Sequence, residues 1–189
     1  ITLETTVVSG NNSDGMAGGI YAGSGMDISG CTISSNHAPL YGSGIEIVSG
    51  PSTPVENSII AFNTGSEGLY TIIGDADISC SNLFGNTAGD YGGGGSDLTG
   101  INGNISLDPQ FCDTLGGDWR VSTGSPCLPA GNSCQVLMGA LGAGCGELPE
   151  LEIRSVTFEP EQPRAKEECN AIITVRNSGD AGADTVVVN

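Results

Sequence analysis

The chain has 189 residues, enough for one sizeable domain or one domain and part of another, and long enough to bury a core. Its 31 glycines, few aromatics and abundant Ser, Thr, Asn and Asp exclude a bundle of long amphipathic helices, because these residues favour turns and caps. A formal charge of −17, from 22 acidic and 5 basic side chains, excludes nucleic acid and disfavours an anionic membrane surface, since both need clustered Lys and Arg.

No stretch approaches the roughly 18 consecutive apolar residues of a spanning helix. The sequence opens at Ile1 without an initiator Met or a leader-like segment and reads as a mature or excised piece. Seven cysteines lie at 31, 80, 112, 127, 134, 145 and 169, four of them between 112 and 145. That clustering points to disulfides and an oxidising compartment. Zinc is the competing reading, but no C-x-x-C pair occurs and the single histidine, His37, is remote in sequence. An odd count leaves at least one thiol free or paired outside the chain.

The first elements are short strands that repeat. Asparagines at 11, 36, 63 and 86 each follow a bulky aliphatic by three residues and mark four coils of about 25 residues. Eight residues before them stand Leu3, Ile28, Val55 and Ile78; five before, the small residues Thr6, Cys31, Ser58 and Ser81; three before, Val8, Ile33, Ile60 and Leu83. After each asparagine comes a polar loop, then Gly19, Gly44, Gly68 or Gly95, followed by Ile20, Ile45, Leu69 and, out of pattern, Ser96. Columns at a fixed period distinguish a parallel coil, where like stacks on like one strand spacing apart, from a meander of hairpins. Asn11, Asn36, Asn63 and Asn86 are expected to form a hydrogen-bonded ladder and to turn a sharp corner, and Cys31 to be a buried core thiol.

"GGIYAGSGMDISGCTISSN" at 18 to 36, "YGSGIEI" at 41 to 47 and "VENSIIAFN" at 55 to 63 resemble the parallel β-helix repeats of bacterial surface and secreted proteins, those of polymorphic outer-membrane proteins within the pectate-lyase-like superfold. The resemblance covers residues 1 to 110 and implies an all-β fold, a right-handed three-sided parallel β-helix of about four to five coils. It also implies an extracellular or cell-surface location of bacterial type.

The next segment, 111 to 148, carries the only Trp and resembles the closing segment of such helices, with "DPQF", "GDW" and "SPC" phrases. A disulfide-rich cap here would cover the last open strand edge. The disulfide candidates are Cys112, Cys127, Cys134 and Cys145; nearest-neighbour pairing joins Cys112 to Cys127 and Cys134 to Cys145, while spacing leaves three connectivities open.

After a Pro-rich break, residues 149 to 189 hold four of the five basic side chains. "LEIRSVTF", "NAIITVRN" and "DTVVVN" read as alternating strands, and the phrase resembles the first half of a cell-adhesion-related immunoglobulin-like sandwich. A full sandwich needs about 100 residues. Orphan strands at one end and a first coil already in register at Ile1 suit head-to-tail self-association, or association with another surface protein, by strand addition.

Catalysis is not expected. β-helical lyases need a basic residue on the coil, yet Arg120 is the one Lys or Arg in residues 1 to 148 and falls in the closing segment; His37 lacks the Gly-His-Gly setting of the hydrolases and reads as a loop residue. No cofactor is expected: Asp14, Asp75, Asp77, Asp90 and Asp97 could offer oxygens to calcium, but no calcium-loop pattern is present. Asn11-Asn12-Ser13 and Asn104-Ile105-Ser106 match the glycosylation sequon by chance. The candidate glycan-binding face for a polysaccharide is the outward column Tyr21, Glu46, Tyr70 and Asp97 on the strand after the glycine. The resulting expectation is a non-catalytic extracellular structural or adhesive protein, in its sharpest form a filament subunit assembling head-to-tail by strand complementation, with a glycan-binding module and a lyase-like or hydrolase-like remnant as its alternatives.

Overall fold

A computed structural model describes residues 1–48, 53–146, 151–159, 170–177 and 186–188. The chain divides into two compact units, Ile1–Gly144 and Cys145–Asn189. The first is a parallel β-solenoid built from three sheets of four strands each.

One sheet stacks β1 (Thr2–Glu4), β4 (Asp27–Ser29), β7 (Val55–Glu56) and β10 (Ile78–Ser79). A second stacks β2 (Val7–Ser9), β5 (Thr32–Ser34), β8 (Ile59–Ala61) and β11 (Asn82–Phe84), and a third β3 (Ile20–Ala22), β6 (Ile45–Ile47), β9 (Leu69–Thr71) and β12 (Tyr91–Gly93). The registers place Leu3 on Ile28 on Val55 on Ile78, and Val8 on Ile33 on Ile60 on Leu83. These columns fill the lumen; Ile28, Ile33, Ile45, Ile47, Val55, Ile60 and Leu83 are fully buried there.

The third column continues as Ile20, Ile45, Leu69 and Tyr91. Ser96 therefore does not occupy it, and Gly95 is not the fourth glycine of the repeat. The loop from Asn11 to Ile20 equals that from Asn36 to Ile45, but those from Asn63 to Leu69 and from Asn86 to Tyr91 are successively shorter, so the fourth coil reaches its third strand earlier than a constant spacing predicts. Tyr91 brings its phenol inward, where the buried oxygen has no hydrogen-bond partner. Burial, then the charges of Asp97 and Asp90, push this phenol's pKa up.

The asparagine ladder is continuous. Asn11 Nδ2 donates to Asn36 Oδ1 at 2.9 Å, Asn36 Nδ2 to Asn63 Oδ1 at 3.1 Å, and Asn63 Nδ2 to Asn86 Oδ1 at 2.9 Å. Each of these oxygens also accepts the backbone N–H of the preceding asparagine. The second amide proton of Asn36, Asn63 and Asn86 goes to the carbonyl of Val8, Ile33 and Ile60. Asp90 ends the ladder, its Oδ1 accepting Asn86 Nδ2 at 2.8 Å and its Oδ2 accepting the Ser106 hydroxyl. The glycine before the third strand makes room for the ladder: a Cβ on Gly44 would sit 2.9 Å from Asn63 Nδ2, and one on Gly68 would collide with the Asn86 amide.

The corner itself is turned by a different residue. Left-handed backbone falls on Gly10, Ser35, Phe62 and Gly85, one position before each ladder asparagine. The other corner uses Thr5, Gly30, Asn57, Cys80 and Gly103. The small column beside it is a second ladder, in which Cys31 N–H donates to Ser58 Oγ, Ser58 N–H to Ser81 Oγ, and Ser81 N–H to Asn104 Oδ1. Asn104 is 1% exposed and also donates to Ile78 O, so its sequon carries no accessible amide. Cys31 is free and buried, and burial pushes its thiol up.

Residues 98 to 107 lie over the fourth coil, with Ile105 bridging Asn82. From there the closing segment runs back along the flank of the second sheet. β13 (Phe111–Asp113) and β14 (Asp118–Ser122) form an antiparallel pair, joined by β15 (Ala143–Cys145), and Phe111 meets Trp119 edge to face at 5.3 Å. Val121, Cys127 and Met138 cover Ile59 and Ala61 in a second core outside the lumen. Ala140 N–H reaches Thr32 Oγ1 in the second coil at 3.0 Å. This cover is why Thr32, Ser34, Ile59, Ala61 and Asn82 are buried although they alternate with lumen residues.

The cysteines depart from nearest-neighbour pairing. Cys80, at an αL corner of the fourth coil, is bonded to Cys134. Cys112 and Cys145 are also disulfide-bonded, whereas Cys127 is free and buried, accepting Asn82 Nδ2 at 3.1 Å. Burial pushes the Cys127 thiol up. Cys169 and the junction at 147–150 lie outside the described residues.

The second unit contains β16 (Leu151–Glu159), β17 (Asn170–Asn177) and β18 (Val186–Val188) in one antiparallel sheet of that order. The three strands fall on the three alternating stretches of the sequence.

Asn63→Ala would leave the Asn36 N–H and one Asn36 Nδ2 proton without their acceptor, and would take one of two donors from Asn86 Oδ1 and the amide donor from Ile33 O. It is expected to cost about 3 kcal/mol or more, while Asn11→Ala, exposed at the ladder's first rung, costs about 1 kcal/mol or less. Urea unfolding of the two variants measures the contrast.

Candidate functional site

The third sheet presents the outward column expected from the sequence, and the structure changes two of its four members. Tyr21 pairs with Glu46, Glu46 with Tyr70, and Tyr70 with Gly92. Asp97 is not on this strand. It sits in a turn, where its Oδ1 accepts the Thr99 N–H at 2.9 Å and that bond lowers its pKa.

Glu46 holds the central position but does not face water. It is 1% exposed, between Tyr21 at 59% and a partly covered Tyr70. The loop before β6 covers it: Gly42, at φ +58°, comes so near that an added Cβ would stand 2.7 Å from Glu46 Cβ. Glu46 Oε2 is buried without a hydrogen-bond partner, and burial pushes the carboxyl's pKa up. A carboxylate there would be a desolvated charge, which favours the neutral acid.

Tyr41 is the residue that column reasoning missed. Its ring lies 4.7 Å from the Tyr70 ring at an interplanar angle of 34°. Its backbone bridges Met16 one coil earlier, and Met16, Leu40, Tyr41 and Tyr21 are all substantially exposed. The signal was present in "YGSGIEI", where a tyrosine precedes the tight Gly-Ser-Gly approach to the strand. The result is an aromatic stripe across coils with a hidden acid beneath it, instead of alternating tyrosines and accessible carboxylates.

The remaining candidates are engaged locally. Arg120 is paired with Asp118 on β14, with Nε to Oδ1 at 2.8 Å and Nη2 to Oδ2 at 2.6 Å, and the side chain of Arg120 lowers the Asp118 pKa. His37 stacks between Asn12 and Thr64, its Nδ1 3.1 Å from Thr64 Oγ1. Asp75 accepts the Ser96 N–H at 2.7 Å, which lowers its pKa, and Asp90 ends the ladder. Among the described residues, no group of three or more His, Cys, Asp or Glu side chains is placed to hold a metal ion. No helix among them is long and apolar enough to cross a membrane.

Comparison with protein-family models, with curated proteins and with solved structures finds no match to this chain.

Because burial raises the Glu46 pKa on folding, the native state binds more protons than the unfolded state between the unfolded and the folded pKa. Stability is lost as pH rises through the raised folded pKa. Glu46→Gln removes this dependence, so its urea midpoint should gain on the wild type from mildly acidic to neutral pH. A constant difference would show that Glu46 titrates normally.

Proposed function

We propose that the chain is a non-catalytic structural and adhesive element of an extracellular, bacterial-type surface. The observation that carries this reading is the use made of its polar side chains. The Asn ladder, the Ser column, Asp90, Asn104 and His37 hold one coil against another, and Arg120 is taken up by Asp118 on its own strand. Catalytic groups, by contrast, converge on a point where a reacting atom can sit. The disulfides fit an oxidising compartment and the charge of −17 fits a soluble, well-spaced surface protein.

Within this reading the repeats belong with those of bacterial polymorphic surface β-helices, and β16 to β18 are the opening strands of an immunoglobulin-like module. Self-association by strand addition is its filament form. The second reading, a glycan-binding face, is favoured by the Tyr41–Tyr70 pair in line with Tyr21, since stacked rings on a stiff coil suit an extended polysaccharide.

Incubation with neutral and uronate polysaccharides should release no oligosaccharides; depolymerisation abolished by Arg120→Ala would overturn the structural reading. On an array of the same polysaccharides, retention lost in Tyr21→Ala with Tyr70→Ala would establish the tyrosine face.

A further inference from the structure

A separate cleft lies where the corner before the ladder meets the closing segment. It has a volume of about 260 Å3 and is bordered by Ser35, Phe62, Asp108, Gln110, Phe111 and Thr114. None of these residues belongs to the tyrosine column.

Phe62 is out of place by the logic of the coil. Its position demands left-handed backbone, which Gly10 and Gly85 supply in the first and fourth coils, yet here a bulky aromatic takes it at φ +57°. Such a conformation costs a residue with a Cβ roughly 1–2 kcal/mol. Its ring is only half buried and packs against Phe84 at 5.7 Å and Phe111 at 6.2 Å, in both cases edge to face. Those contacts offset the strain, and they also fix two rings side by side in the wall of an open cleft. Gln110, at φ +56°, is a second non-glycine residue held left-handed at the same place.

The polar rim is oriented before any ligand arrives. Asp108 Oδ1 accepts the Gln110 N–H at 2.8 Å, leaving its other oxygen as an acceptor. Gln110 Oε1 accepts the Ser122 hydroxyl at 2.7 Å, which fixes the amide and leaves its NH2 as a donor. The Ser35 and Thr114 hydroxyls, both exposed, can donate and accept. Asp108 is the single charged lining residue, so an anion such as a uronate or phosphate has nothing to pair with. Four polar groups around two rings do not suit a purely apolar ligand. An apolar wall with a few convergent donors and acceptors is the usual make-up of a small-molecule site.

From this arrangement we infer that the cleft binds one ring of a neutral saccharide, its apolar face against Phe62 and Phe111 and its hydroxyls on Asp108, Gln110 and the two hydroxyl side chains. The inference goes beyond the structural reading and stands apart from the tyrosine stripe. A lone sugar unit at this corner would let a rigid surface element hold a glycan end.

Ligand-observed NMR and calorimetry on the full chain, with glucose, galactose, mannose and N-acetylglucosamine as probes, test it. At least one probe should bind. Phe62→Gly should weaken that binding by roughly tenfold or more, in a chain that stays folded because glycine already occupies the same corner in two other coils. Gln110→Ala, on an exposed side chain, should weaken it as well, and Tyr21→Ala with Tyr70→Ala should leave it unchanged. Absence of binding by all four sugars, binding that survives both cleft variants, or binding lost on the tyrosine variants would overturn the inference.

Discussion

The fold depends on the hydrogen bond between one side-chain amide and the next across coils. A parallel solenoid brings each residue onto its equivalent about 4.8 Å away, so any polar group in the wall must be satisfied by its own kind. Asparagine meets this demand because its amide both donates and accepts. The oxygen of Asn63 takes two protons from Asn36, while its nitrogen gives one to Asn86 and one to Ile33 O. Glycine before the third strand follows from the ladder, since the amide occupies the space a Cβ would fill. Asp90 follows too: where no further asparagine is stacked, an acceptor without donors completes the row.

The closing segment answers a second demand. The coil's lumen is narrow, and the outward residues of the second sheet, Thr32, Ile59, Ala61 and Asn82, are too apolar or too buried in polarity to be left bare. The segment from 108 onward lays Val121, Cys127 and Met138 over them. The bond from Cys80 to Cys134 then ties a coil corner to that cover. Gly103 stacks on Cys80 at the same corner, where any Cβ would run into the sulfur of Cys134. Cross-linking here secures a lateral layer as much as an end.

Much of the coil was legible because stacking imposes a period on the sequence. Two aliphatic columns, the small column and the asparagines are read by offset alone, and the registers and side-chain bonds place them in line. What offset could not give is anything set by loop length. The fourth coil's shorter loop moved Tyr91 into the column assigned to Ser96, and with it removed Asp97 from the outward face. The corner residue was misassigned for a related reason: the asparagine is the repeating letter, but the left-handed backbone belongs to its varied neighbour. Glu46 shows the limit on the functional side. Alternation gave its direction correctly, whereas its burial comes from the loop around Gly42 and Tyr41, which no period encodes. The cysteine pairing was closed to sequence because the closing segment folds back over a distance of 54 residues.

Polar side chains in this protein serve first to lock coil on coil. Amide hydrogen exchange under native conditions tests this most directly. The backbone N–H groups of Asn36 and Asn63, each held by a ladder oxygen, should exchange only through global unfolding, together with those of Ile33 and Ile60 in the lumen wall. Exchange of the two asparagines by local opening, well ahead of the lumen strands, would contradict it.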